Sequence, residues 1–320
     1  MTSHSNILSI QAQTSFQGTD ALPKLYIGGL PDILFITSYP PRQCGIAAYS
    51  QDLIKALNNK FNQSFAIHIC ALESENERHI YADEVKYILD TDRPETFLSV
   101  AENINDNAAI CLVLVQHEFG FFKKVESEFR QFLDTLTKPI IFAFHTVLPR
   151  PDDLLKTNVQ QLAGISESII VMTNSSAKIL IGDYNLPAEK ITVIPHGTHL
   201  VPHSNEHLLK EKYNLCGKKV LSTFGLLSSG KSIETTLNAL SVIIEKNPEV
   251  LFLVIGKTHP SVLKQEGEKY RNGLEVRVTE LGIQAHVRFI NYFLPLPDLL
   301  EYLQLTDIYL FTSRDPNQAV

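Results

Sequence analysis

The sequence predicts an α/β protein made of two doubly wound domains, the second one incomplete. Three observations lead there. Short continuous apolar runs, such as Ile33–Thr37 (ILFIT), suit strands covered on both faces rather than strands with one wet face. Segments with apolar residues at helical spacing fall between most of these runs, which is the pattern of parallel βαβ units. The alternation is interrupted once, by a polar, His-rich stretch over 199–215 (HLVPHSNEHLLKEKYNL), and then begins again.

Residues 1–30 are rich in Ser, Gln and Thr and are expected to form a loose leader. The first domain is expected over 31–198. After Ile33–Thr37, the apolar runs predict strands at Phe65–Leu72, Val85–Leu89, Ile110–Gln116, Ile140–Phe144, Ser168–Met172 and Ile191–Ile194. Helical spacing predicts helices over Ala47–Leu57, Glu95–Asn103, Val125–Leu136, Asp152–Ala163 and Asn174–Asp183. A linker is expected over 199–216 and a partial second domain over 217–320. There the runs predict strands at Val220–Phe224, Leu251–Ile255, Val287–Ile290 and Ile308–Phe311. Helices are predicted between them at Ile233–Lys246, Val262–Leu281 and Leu296–Leu303. Four strands are fewer than the six common in such a domain, so the last is expected near an edge.

Composition narrows the function classes. A net charge of −7 over 320 residues argues against a broad nucleic-acid surface, although a local anion site needs only a few donors. The four cysteines, Cys44, Cys70, Cys111 and Cys216, are widely spaced with no CxxC pair. They read as reduced thiols of a cytoplasmic protein. No apolar run approaches the ~18 residues of a membrane span, and the polar N-terminus lacks the pattern of a secretory signal.

Several motifs carry chemistry. In an open parallel sheet, ligands bind beyond the carboxyl ends of the strands. Gly45, in YPPRQCGIAA, follows the first strand and opens a helix, where backbone can approach a ligand closely. His117 and Glu118 follow the strand at 110–116, and His145 follows the strand at 140–144. They would share that rim, with His145 able to bind a sugar hydroxyl or contribute a dipole at a reacting centre. The pair Asp90 and Asp92 could chelate a hard cation, but capping of the following helix is the simpler role. His196, His199, His203 and His207 are interrupted by Gly197 and Pro202, and read as a His-rich link rather than a zinc site.

The richest segment is Lys219–Leu240, KVLSTFGLLSSGKSIETTLNAL. It reads as strand, Gly/Ser loop, lysine and helix, bringing backbone N–H groups, a helix start and a cation toward one place suited to phosphate. Gly225, Gly230 and Lys231 are its phosphate-binding candidates. GLLSSGKS literally matches G-x-x-x-x-G-K-[ST], so nucleotide hydrolysis is a rival reading. The acidic partner such a hydrolase requires after an apolar strand is missing: Ile255 leads to Gly256–Lys257, and Ile290 to Asn291.

Taken in order, RQCGIAAYSQDL, Phe144–Thr146 (FHT), Ile194–Thr198 (IPHGT) and Phe224–Lys231 (FGLLSSGK) resemble the retaining glycosyltransferases of family four, glycosyl transferase group 1. The resemblance covers about Asp32–Val320. It implies the GT-B fold of two facing Rossmann-like domains, and transfer of a sugar from a nucleotide-diphosphate sugar to a hydroxyl acceptor. It further implies His145 as the active-site histidine, Lys231 as the donor-phosphate lysine, and Gly45, His196 and Asn317 as cleft residues, beside His117 and Glu118, which their place at a strand end makes cleft candidates. No metal or other cofactor is implied. Two departures stand out. Leu226 replaces the family's arginine, whose bidentate phosphate contacts leucine cannot make. The family's acidic donor-gripping motif would follow SRDPNQAV, where this sequence stops. These departures keep a second reading open, a non-catalytic nucleotide-sugar-binding or truncated relative.

Overall fold

A computed structural model describes residues 30–61, 64–74 and 78–313. The expected leader falls outside them except for Leu30, as does Asn317.

The first sheet has seven parallel strands: β1 Asp32–Thr37, β2 Ala66–Glu73, β3 Val85–Asp90, β4 Ile110–His117, β5 Ile140–Phe144, β6 Ser168–Val171 and β7 Ile191–Val193. The helices between them are α1 Gly45–Phe61, α2 Phe97–Asp106, α3 Phe119–Phe122, α4 Glu126–Thr135, α5 Asp153–Ile165 and α6 Asn174–Gly182. The second sheet has four parallel strands: β8 Lys219–Phe224, β9 Val250–Ile255, β10 Val287–Ile290 and β11 Ile308–Tyr309. It carries α7 Glu206–Lys212, α8 Ile233–Ile243, α9 Pro260–Glu266, α10 Lys269–Glu280 and α11 Leu296–Gln304.

Strand order is β3-β2-β1-β4-β5-β6-β7 in one sheet and β10-β9-β8-β11 in the other. Each sheet starts with a 3-2-1-4 arrangement counted from its own first strand. The order therefore reverses beside β1 and beside β8, and a crevice forms at such a reversal.

The continuous apolar runs are explained by the packing. Leu34 and Ile36 of β1 join the core formed with α2, α4, α5 and α6, while Phe35 between them joins the α1 face. In the second sheet Phe252 and Val254 pack with α8 and α10, whereas Leu251, Leu253 and Ile255 pack with α7 and α11. Side-chain oxygens cap several helices: Asp152 accepts from Leu155 N (2.8 Å), Thr173 from Ser176 N (3.0 Å) and Asn205 from His207 N (2.9 Å). Among the described residues no helix is long and apolar enough to cross a membrane.

Three elements depart from the sequence reading. The stretch read as a polar link contains α7, because Leu209 and Leu215 bury into the second core. Lys210 pairs with Asp307 at 2.8 Å, and Asp307 also meets Lys219 (2.9 Å) and Val220 N (2.7 Å), tying α7, β8 and the entry to β11 together. The long helix expected at 262–281 is two, α9 and α10, broken at Gly267, which takes φ +63°. The last strand is only two residues long, at the sheet edge beside β8, with Ile308 and Tyr309 exposed.

Candidate active site

Gly45 is the first residue of α1, at the carboxyl end of β1. Behind it, the Cys44 sulfur accepts from Ala47 N at 3.4 Å and contacts Ser38 Oγ at 3.1 Å, fixing the turn. One helical turn on, Tyr49 stands edge-on to two imidazoles, His145 at 5.0 Å and His196 at 5.1 Å between ring centres. The two histidines are 6.3 Å apart. Gly45, His145 and His196, distant in sequence, are thus grouped around the first turns of α1.

His145 is buried, and its backbone N–H donates to His117 O at 3.0 Å. Its Nε2 lies 2.7 Å from Gln116 Oε1. An amide oxygen only accepts, so Nε2 carries the proton and Nδ1 is left as a lone-pair acceptor. Burial, followed by the charge of His196, lowers the His145 pKa to about 4, so the ring is neutral at pH 7.

His117 does not join this group. It is 4% exposed and enclosed by Phe119, Phe122, Phe142 and Phe144, with ring centres 4.9–6.0 Å away. Among the described residues its Nδ1 has no hydrogen-bond partner, and burial, then His145, lowers its pKa to about 3. Strand alternation explains the difference: His117 shares parity with Val113 and Val115, which face the main core, while Gln116 takes the other face and reaches His145. Sequence reasoning selected His117; the strand period pointed to Gln116. Glu118 does reach the rim, where Thr146 Oγ1 donates to its Oε2 at 2.5 Å. Burial raises the Glu118 pKa against the hydrogen bonds from Thr146, Gly120 and Phe119.

On the second rim, Gly225 follows β8 at φ +125° and Gly256 follows β9 at φ +128°. A Cβ on Gly256 would lie 2.2 Å from Gly225 O, and a Cβ on Gly225 would lie 3.1 Å from Lys231 Nζ. The Lys231 side chain therefore folds back over Gly225. Its ammonium is half-buried, which lowers its pKa, and among the described residues no carboxylate pairs with it.

The loop's backbone is less available to phosphate than the sequence suggests. The amides of Gly225, Leu227, Lys231 and Ser232 donate to the carbonyls of Ile255, Lys257, Ser228 and Ser229 at 2.9–3.1 Å. Residues 229–231 form a 3-10 turn, Ser232 is left-handed, and the first amide of α8, Ile233 N, donates to Tyr270 Oη at 3.1 Å. Nucleotide P-loops hold phosphate on successive free amides, and here these amides are committed within the protein. Thr312 Oγ1 donates to Lys231 O (2.8 Å) and Ser313 Oγ to Gly230 O (3.1 Å), so the chain after β11 braces the turn. Tyr270, Thr312 and Ser313 carried no sequence signal, because the groups they bond in this turn lie far away along the chain.

The two rims meet where Lys257 Nζ donates to Gln43 Oε1. Beside this contact lies a cavity of about 750 Å³, lined by residues 41–44, Glu118, Lys123, Lys124 and residues 257–260, among others. Among the described residues, Glu118 is the only predicted site residue on its wall; His145, His196, Gly225 and Lys231 lie outside its lining. Asp90 does not cap the following helix: it pairs with Arg78 at 2.7 Å and accepts from Asp92 N at 2.9 Å. The following turn has no side-chain cap. His199 turns to Asp52 on α1 at 3.1 Å, away from any histidine cluster.

Residues 206–317 match the family model described as Glycosyl transferases group 1. Mannosylfructose-phosphate synthase of Agrobacterium fabrum is 26% identical over 209 residues, covering 62% of this chain; the chain spans 42% of that curated relative's length. Among solved structures, Anabaena HepE in complex with UDP and glucose superposes with a TM-score of 0.62 at 15% identity, covering 90% of this chain and 76% of that one. Sucrose-phosphate synthase from Thermosynechococcus elongatus gives 0.64 at 14%, covering 88% and 75%. The paired parallel sheets thus have the GT-B fold, with the second shorter than the first. The likeness to the glycosyl transferases group 1 family is thus carried by residues 206–317.

Proposed function

We propose that this chain is a glycosyltransferase that moves a sugar from a nucleotide-diphosphate sugar to a hydroxyl acceptor with retention. Residues 31–198 would serve the acceptor and 217–320 the donor. The observation that carries this reading is Lys231: a half-buried ammonium folded over Gly225 at the carboxyl end of β8, inside the segment matching the family model. HepE, of the same fold, is described with UDP and glucose, which suits a donor of this class.

In the reaction, the bond between the sugar C1 and the diphosphate oxygen breaks, and the acceptor oxygen bonds to C1 on the same face. The acceptor's proton passes to the departing diphosphate. Lys231 would stabilise the charge developing on that group. Gly225 leaves room for the lysine, and Gly230, its carbonyl braced by Ser313, shapes the turn that presents it. His145, protonated on Nε2, would accept a hydroxyl hydrogen bond through Nδ1, with Gly45, His196 and Tyr49 framing it. The reading assigns no metal, since Lys231 meets the phosphate charge.

A panel of nucleotide-diphosphate sugars tests this by thermal shift and turnover. One donor should stabilise the protein, Lys231→Ala should abolish that effect, and His145→Ala should retain donor binding while losing turnover. Donor binding without turnover in the unmutated chain would favour the non-catalytic reading, for which Leu226 in place of arginine speaks. Magnesium-dependent ATP hydrolysis would favour the P-loop reading, against which the committed loop amides speak.

A further inference from the structure

We propose that Arg271 is a positioning residue for the donor: from α10 it gathers both ends of α9 and, through Gly256 and Gly225, sets where the Lys231 ammonium stands. The role in donor binding rests on the glycosyl-transfer reading. Arg271 belongs to the buried stripe of α10, with Leu274 and Val278, and is only 5% exposed. A guanidinium keeps its charge at any pH a folded protein meets, so burying it carries a desolvation penalty that a leucine in the same stripe would not. Packing alone does not call for an arginine there.

Its donors go to three places. Nε donates to Glu268 Oε2 at 3.0 Å, and Nη2 donates to Gly256 O at 3.3 Å and to Thr258 Oγ1 at 3.4 Å. Gly256 and Thr258 stand before α9, and Glu268 stands after it, beyond the break at Gly267. Thr258 Oγ1 in turn donates to Glu268 Oε2, which closes a ring of three side chains across the base of α9. Among the described residues Nη1 has no partner. The orientation that serves both ends of α9 thus leaves a buried donor unserved, at a cost in stability.

The segment held in this way is zipped to the loop that carries Lys231. Gly225 N donates to Ile255 O, Leu227 N to Lys257 O and His259 N to Leu227 O, at 2.9–3.0 Å. Gly256 lies against the Gly225 carbonyl, and the lysine folds over Gly225. A shift of residues 256–258 therefore moves the floor under the ammonium. Arg271 lines neither cavity beside α9, so it acts through these contacts and not by touching a ligand.

Three variants test this: Arg271→Met, Thr258→Val and, as a control, Leu274→Ala. Thr258→Val cuts the link to the upstream end of α9 but keeps the guanidinium, so its effect cannot come from lost charge. Leu274→Ala removes apolar packing from the same stripe and none of these hydrogen bonds. Lys231 is followed by NMR of the isotope-labelled, reductively methylated protein, its signal being the one missing from Lys231→Met. Donor affinity is followed by calorimetry with UDP-glucose. Arg271→Met and Thr258→Val should each raise the Lys231 pKa toward the ordinary value of about 10.4 and weaken UDP-glucose binding about tenfold. Leu274→Ala should lower the melting temperature and change neither reading. Should Arg271→Met fail to fold, Thr258→Val decides alone. A Lys231 signal that titrates in Thr258→Val as it does in the parent would overturn the proposal. So would UDP-glucose affinity unmoved by both variants, or a Leu274→Ala that shifts the lysine as far, which would make Arg271 one packing residue among others. A Lys231 signal that responds as expected in a chain that binds none of the panel of nucleotide-diphosphate sugars would uphold the link from Arg271 to Lys231 and sink the glycosyl-transfer reading instead.

Discussion

Lys231 and Gly225 form one unit: the ammonium lies where it would be 3.1 Å from any Cβ on the glycine. Gly225→Ala should therefore push the lysine aside as well as strain a backbone at φ +125°. We expect a loss of about 1–3 kcal/mol in stability and a weaker nucleotide-sugar affinity, measured by denaturant melts and calorimetry. Gly256→Ala should be at least as damaging, since its Cβ meets the fixed Gly225 carbonyl at 2.2 Å rather than a flexible side chain.

Lys231→Met separates stability from binding. Burial lowers the pKa of the lysine, so the folded state holds its proton less tightly than the unfolded state, and the charge works against folding at neutral pH. The methionine variant should melt no lower than the parent while losing donor binding. A clear drop in melting temperature would show that the ammonium has a structural role.

Leu226→Arg places a cation beside the loop that carries Lys231 and that we propose binds the donor. A guanidinium there should tighten nucleotide-sugar binding by about tenfold, one charge-assisted hydrogen bond of ~1.5 kcal/mol. Unchanged affinity in titrations would mean that another cation already fills that place.

His117 and His145 make the fold acid-sensitive. Their pKa values, lowered to about 3 and about 4, lie below the ordinary 6.5. The stability tied to their neutral forms is complete above pH 6.5 and is lost as pH falls from 6.5 to about 4 for His145 and to about 3 for His117. The slope approaches about 1.4 kcal/mol per pH unit for each. His117→Leu, which also removes the unpartnered Nδ1, should flatten this slope by roughly half. Urea melts between pH 4 and 7 would expose an unchanged slope and discard the assignment.

The alternation of strands and helices was readable because both faces of each sheet are covered, so burial wrote itself as apolar runs. Helix breaks and caps were less readable: α9 and α10 part at Gly267 inside a pattern that reads as one helix. Of the candidate site, the rim positions of His145, Glu118 and Lys231 followed from strand ends. The fate of His117 did not, although its parity with Val115 pointed inward. The commitment of the Gly225 and Leu227 amides escaped the sequence because their acceptors, Ile255 and Lys257, come from the neighbouring strand's end.

The close approach of Gly225 and Gly256 also sets a rule for how related chains can diverge. With 2.2 Å between a hypothetical side-chain carbon and a carbonyl, position 256 cannot drift by small steps. A relative carrying any side chain there must have rerouted the turn after β8, and with it the lysine. Residue 256 is thus a sequence marker for whether a homologue keeps this lysine-presenting geometry at all.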